Sequence, residues 1–169
     1  MHLHQPATYW IDNLGLKPHP EGGYYKEVYR ASESIPHSAL PPRFSGERSF
    51  ATSIYYLLEQ GDFSAFHRIQ SDETWHFYAG GSLQIATLHD DQFAAVYLGA
   101  NISKGECLQV TIPAGVWFAA TPNPETPYTL AGCSVSPGFD FADFEMAKRS
   151  ELIKAYPDSE QIILALTRS

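Results

Sequence analysis

Apolar and polar side chains alternate along most of this chain, in short runs that carry many aromatic and β-branched residues. A period of two places successive side chains on opposite faces, the signature of a strand with one buried face. Residues 24–30, 50–58, 64–69, 73–79, 83–89, 93–99, 107–112, 116–121 and 128–135 read as strands, most of them separated by Gly, Pro, Asn or Asp. Many short strands at regular spacing predict an all-β sandwich or barrel. Residues 8–14 (TYWIDNL) predict a short helix, with Thr8 or Asp12 capping or flanking it and Gly15 as its stop. Pro18-His19-Pro20 breaks the chain and Glu21-Gly22-Gly23 turns it. Residues 32–46, with three Pro and several Ser, read as a long loop at one mouth of the barrel, a lid or an interface arm. Near the C-terminus the pattern changes. Residues 140–155 predict a helix stopped by Pro157, and Asp158-Ser159-Glu160-Gln161 resembles a capping box before a second short helix. No repeat or linker divides the sequence, so residues 1–169 are expected to form one domain, with a core at about 20–136 and helices at about 140–167.

Composition narrows the function classes. At 169 residues and 44% hydrophobic, the chain is long enough for a real core. A net charge of −8 argues against nucleic acid and anionic membranes as partners. No apolar run approaches the ~20 residues of a membrane span. The opening residues, MHLHQPATYW, lack the basic and apolar regions of a signal peptide. Two cysteines, Cys107 and Cys133, fit a reduced, cytoplasmic protein. The 14% aromatic content suits strands and a ring-lined pocket, so a small-molecule ligand is the expected partner.

One stretch carries chemistry. In GDFSAFHRIQSDETWHFYAG, residues 61–80, Gly61, His67, Glu73 and Gly80 stand at fixed intervals. This spacing resembles the first signature of the cupin superfamily, G-x5-H-x-H-x3-E-x6-G, with Ile69 in place of the second His. Further on, Pro113 and Gly115 match the second signature, G-x5-P-x-G-x2-H-x3-N, while Cys107, Phe118 and Pro122 replace its Gly, His and Asn. The ordered blocks LGLKPHPEGGYYKEVYR, RSFATSIYYLL, IPAGVWFAA and GCSVSPGFDFADFEMA resemble the type-5 cupins, a subfamily of uncharacterised proteins, over roughly 13–168. The resemblance implies a single double-stranded β-helix, or jelly roll, of the RmlC-like kind, with a short N-terminal helix and C-terminal helices. It also implies a homodimer and an unsettled ligand. The nearest characterised relatives in shape are metal-free nucleotide-sugar epimerases, an analogy of fold alone.

Alternation puts His67 and Ile69 on one strand face, and Glu73, Trp75 and Phe77 on one face of the next, with His76 opposite. In the cupin signature the His face points inward. His67 and Glu73 are therefore expected to meet inside, among Ile69, Trp75, Phe77 and Phe118. Burial drives both groups toward neutrality and their attraction opposes it, which suits general acid–base work. A transition metal needs three or four donors. No cofactor is expected; a metal, if bound, would use His67, Glu73 and His76, provided a bulge turned His76 inward. Arg30 and Arg48 are candidate clamps for phosphate or carboxylate at the mouth, with surface or dimer ion pairs as the plainer reading. Tyr24, Lys26 and Arg30 share a face by parity. His2, His4, His19 and His37 lie in loop-like sequence and are assigned no role. No nucleophile elbow and no phosphate-cradling glycine loop is present.

Three functions fit these residues. The first is metal-free epimerisation or isomerisation of a sugar-like or nucleotide-sugar-like metabolite by His67 and Glu73. The second is a non-catalytic binding or sensing module. The third is a divergent metal enzyme such as a dioxygenase.

Overall fold

Strands that bury one face need a second layer, and this chain supplies it by folding one sheet over another. The computed structural model describes residues 5–168. Helix α1 spans Ala7–Leu14. The strands are β1 (Lys17–Pro18), β2 (Tyr24–Arg30), β3 (Ser34–Ile35), β4 (Arg48–Ser49), β5 (Thr52–Glu59), β6 (Ser64–Arg68) and β7 (Asp72–Gly80). They continue through β8 (Leu83–His89), β9 (Gln92–Leu98), β10 (Gln109–Ile112), β11 (Trp117–Pro122), β12 (Tyr128–Ser136) and β13 (Glu145–Met146), before helices α2 (Arg149–Ala155) and α3 (Glu160–Ala165). One sheet has the order β1-β2-β5-β12-β7-β10 and faces a second of order β13-β6-β11-β8-β9, while β3 and β4 form a separate ribbon. The architecture is an all-β jelly roll, a double-stranded β-helix.

The main core lies between the sheets. Tyr56, Trp75, Leu83, Ile85, Phe118 and Ala131 meet there. The helices cover sheet backs. Leu152, Ile163 and Leu166 pack with Phe66, Ala86 and Ala119 of the five-stranded sheet, and α1 packs with Leu57 and Leu130 of the six-stranded one. Gly15 ends α1 in the left-handed conformation at φ 65°, the common glycine C-cap. No side chain caps the start of α1: Pro6 stands there, so neither Thr8 nor Asp12 does so.

Three expectations are corrected. Residues 140–155 are helical only from Arg149. The earlier part forms a 3-10 turn, Phe141–Asp143, then β13, because Asp140 accepts a hydrogen bond from Ala142 N and Glu145 and Met146 pair with Arg68 and His67. The capping box is not formed. Residues Pro157–Ser159 make a 3-10 turn and no side chain caps α3. The segment 32–46 is not irregular throughout, since β3 pairs with β4 and His37–Ala39 forms a 3-10 turn. No described residue of helix or strand gives a helix long and apolar enough to cross a membrane.

Candidate functional site

A cavity of about 440 Å³ opens between the sheets. Its walls come from inward positions of adjacent strands. Thr52 and Ile54 come from β5, Cys133 and Val135 from β12, Glu73 from β7, and His67 from β6 with Ile69 just beyond it. Register explains the grouping: Val135 pairs with Glu73, so both point the same way, and the period of two repeats the orientation at Cys133.

His67 is held from two sides. Its Nδ1 lies 2.7 Å from the Ala65 carbonyl. A carbonyl only accepts, so Nδ1 carries the hydrogen and Nε2 is left for the cavity. Nε2 stands 3.1 Å from Oε2 of Glu21. The approach is a close charge contact but misses hydrogen-bond geometry, and Oε2 has no hydrogen-bond donor among the described residues. The imidazole packs on Phe118 at 4.2 Å and Phe144 at 5.3 Å between ring centroids.

Glu21 reaches this place through the Gly22-Gly23 turn. Both glycines have positive φ, and a Cβ at Gly22 would stand 2.1 Å from the Phe63 carbonyl oxygen. The Glu21 carbonyl accepts from Ala65 N at 3.1 Å and from Arg168, while Tyr56 donates its hydroxyl hydrogen to the Gly22 carbonyl. Ala65 thus holds Glu21 through its N–H and His67 through its carbonyl. His19 completes the cluster. Its Nδ1 accepts from Glu21 N, and burial lowers its affinity for a proton, with Glu21 opposing and His67 assisting.

Glu73 is buried and lines the same cavity. Burial, then the charge of Glu21, push its carboxyl up to about 8, and the Cys133 thiol pulls back. It is therefore a neutral acid at pH 7. Burial first, then the charge of Glu73, pushes the Cys133 thiol well above its ordinary range.

One side of the mouth is lined by a strap, residues 137–144, through Phe139, Asp140, Phe141 and Phe144. Phe139, Phe141 and Phe144 stack edge to face within it. Phe139 N donates to Thr52 Oγ1 and Gly138 N to the Ser49 carbonyl. At the far end Asp143 accepts two hydrogen bonds of 2.6 Å from Arg48, both side chains being buried.

Residues 8–147 match the family described as Cupin superfamily (DUF985). The chain belongs to the cupin superfamily. This cupin is 34% identical to a hypothetical protein from Leishmania major, with a TM-score of 0.88 over 98% of this chain and 100% of that one. It is 36% identical to protein SO0799 from Shewanella oneidensis, with a TM-score of 0.87, covering 97% and 98%. It is 29% identical to the uncharacterised protein YML079W of Saccharomyces cerevisiae, over 85% of this chain and 76% of that protein. Oxalate decarboxylase from Bacillus subtilis, at 14% identity and a TM-score of 0.53 over 36% of its length, shares the fold.

In this cupin, His67, Ile69, Glu73 and Arg30 line the cavity, and Phe118 backs His67 from the core. His67 and Glu73 share the cavity, but no hydrogen bond or ion pair joins them among the described residues; Glu21 is what approaches His67. Trp75 and Phe77 belong to the core behind the cavity. His76 stays on the outer sheet face, with Nε2 3.3 Å from Ser134 Oγ, since no bulge intervenes between Glu73 and His76. Arg48 does not line the cavity; it donates to Asp143, and both side chains are buried. Arg30 faces inward for a reason parity misses. A bulge at Val28 makes Glu27 pair with Ile54 and Arg30 with Thr52, so Tyr25, Glu27 and Arg30 share the cavity side, and Tyr24 and Lys26 do not. The cavity wall includes no residue of 32–46; the strap stands where a lid was expected.

Two residues were missed by sequence reasoning. His19 had been assigned no role, yet it lines the cavity, and so does Glu21, read only as part of a turn. The available signal was an acid and a His flanking Pro20 and followed by paired glycines. His37 bonds the Phe44 carbonyl, away from the cavity, and His2 and His4 lie outside the described residues.

The donor set expected for a metal, His67, Glu73 and His76, is not assembled. Ile69 and Phe118 offer no donor and His76 points outward. Among the described residues no group of three or more His, Cys, Asp or Glu is arranged to hold a metal ion.

Proposed function

We propose that this cupin binds a small polar metabolite in the cavity and catalyses a proton transfer on it, an epimerisation or isomerisation, without a metal. The observation that carries the proposal is the His67–Glu21 contact at 3.1 Å in the same cavity as the neutral acid Glu73. A substrate with a hydrogen on the carbon beside a carbonyl suits this arrangement. His67 Nε2 takes that hydrogen as a proton, the electron pair passes into the enolate, and the Glu73 O–H returns a proton to the carbon. Glu21 beside the imidazole offsets the charge that His67 gains. A sugar-like polyol with a carbonyl meets these needs. A nucleotide sugar suits them less, because its diphosphate seeks a cation and Arg30 is occupied by Glu27.

The test is incubation of the protein with a metabolite extract in D2O, followed by mass spectrometry. Deuterium entering one metabolite with the parent protein and not with His67→Asn supports the reading. No incorporation by the parent protein overturns it.

One observation favours a second reading, a binding module without turnover: His67 is only 3% exposed and boxed by Phe118 and Phe144. In either case a cytoplasmic homodimer is proposed. Cys107 and Cys133 are both free thiols, and Tyr29 and Tyr78 lie exposed on the six-stranded sheet.

A further inference from the structure

The cavity is rich in carboxyl groups and poor in usable positive charge. Glu21, Glu27, Glu73 and Asp140 line it, against Arg30 as the fixed cation. Arg30 has no donor to spare. Nε and NH2 donate to the Glu27 carboxylate at 3.0 and 2.7 Å, NH1 and NH2 both donate to the Phe139 carbonyl at 3.1 Å, and NH1 reaches Ser49 Oγ at 3.5 Å. His19 adds no fixed charge: it uses Nδ1 as an acceptor and is driven toward its neutral form. An anion entering here meets carboxylates and a saturated guanidinium.

A second, independent observation points to a ligand. Glu21 is only 6% exposed and lines the cavity, and its Oε2, 3.1 Å from His67 Nε2 but outside hydrogen-bond geometry with it, has no hydrogen-bond donor among the described residues. A buried carboxylate oxygen without a donor is costly, and a native fold keeps one where something else supplies the hydrogen. Aromatic rings also line the cavity, from Tyr25, Phe139 and Phe144, with Tyr25 and Phe144 packed on the two histidines beside Glu21. Ring faces attract cations, and do so more strongly out of water.

We infer that the cavity selects a small metabolite bearing a cationic nitrogen, an ammonium or guanidinium, and rejects phosphorylated and carboxylated ones. The nitrogen donates to Glu21 Oε2, and the carbon skeleton lies against the rings. This deepens the proton-transfer reading by naming its substrate class, an amine-bearing carbonyl or polyol compound.

The test uses three probes of nearly equal size that differ in charge: benzylamine, benzyl alcohol and benzoate, titrated calorimetrically at pH 7 and low salt. Benzylamine is expected to bind at least about tenfold more tightly than benzoate. Glu21→Gln is expected to weaken benzylamine about tenfold and leave benzyl alcohol unchanged. Glu27→Ala, on the exposed rim, releases the two Arg30 donors that Glu27 holds and is expected to strengthen benzoate; unchanged benzoate binding in that variant overturns the inference even if the Glu21 variant fails to fold. Benzoate binding the parent protein as tightly as benzylamine overturns the inference. So does retention of full benzylamine affinity in a folded Glu21→Gln, or failure of all three probes to bind at about 10 mM. The deuterium experiment uses none of these probes. Failed exchange with intact charge selectivity would sink the catalytic reading alone, and the reverse pattern would sink this inference alone.

Discussion

Glu21 and His67 lie far apart in the chain, yet Ala65 holds both, its N–H on the Glu21 carbonyl and its carbonyl on His67 Nδ1. The contact of their side chains is therefore set by one residue of β6. It does not depend on the ligand to form.

Replacing Glu21 by Gln keeps the shape and removes the charge. Deuterium exchange into the substrate is expected to fall about 10²- to 10⁴-fold, the usual range for lost acid–base assistance. The Tm is expected to stay at or above the parent value, because a buried charge with an unmatched oxygen is removed. A large fall in Tm with unchanged exchange would show that Glu21 is structural.

Glu73 predicts a pH slope in stability. Its folded value is raised from 4.5 to about 8, so the folded state holds a proton that the unfolded state has lost. The contribution is full below about pH 4.5 and is lost as pH rises through about 8. Within that window one such group costs about 1.4 kcal/mol per pH unit. Urea denaturation from pH 5 to 9 is expected to show a steeper decline for the parent protein than for Glu73→Gln. Equal slopes would mean that Glu73 is not held neutral.

The Arg48–Asp143 pair fastens the strap. Arg48→Met leaves Asp143 buried and unpaired, which is expected to cost about 3–5 kcal/mol in urea denaturation. Adding Asp143→Leu is expected to recover most of that loss, since well-packed apolar groups replace buried pairs well. A double variant no more stable than Arg48→Met would contradict the pairing.

Restoring donors is expected to restore a metal. Phe118 pairs with His67 across β11 and β6, and Ile69 lies on the cavity wall two residues beyond His67. The variant Ile69→His/Phe118→His therefore adds two imidazoles near His67 and Glu73, and it is expected to take up about one zinc or nickel per chain by elemental mass spectrometry. A variant that stays metal-free would show that the wall geometry, and not the two lost donors, is what differs from a metal-binding cupin.

The strands were legible because alternation survives wherever one face is buried. For 24–30 and 83–89 the expected bounds coincide with β2 and β8. The same alternation gives the inward facing of Glu73. It fails at β2, where the extra residue at the Val28 bulge shifts Arg30 to the face that counting denies it. It also fails for His19 and Glu21, which precede the strand in a Pro- and Gly-rich turn where no period exists. Residues 140–148 resembled a helix because local propensity favours one. Arg48, distant in sequence, draws Asp143 away, and the open edge of β6 captures Glu145 and Met146. Those partners are visible only once the sheets are assembled.

The strap and the cavity floor have separate origins in the chain: the floor is made by strands and the Gly22-Gly23 turn, the three phenylalanines by one loop tied down at both ends. Recognition and chemistry can accordingly diverge independently. Exchanging ring sizes at positions 139, 141 and 144 would retune which molecules are admitted while the proton-handling groups stay in place, so a lineage carrying this barrel has a route to new substrates through a handful of loop substitutions.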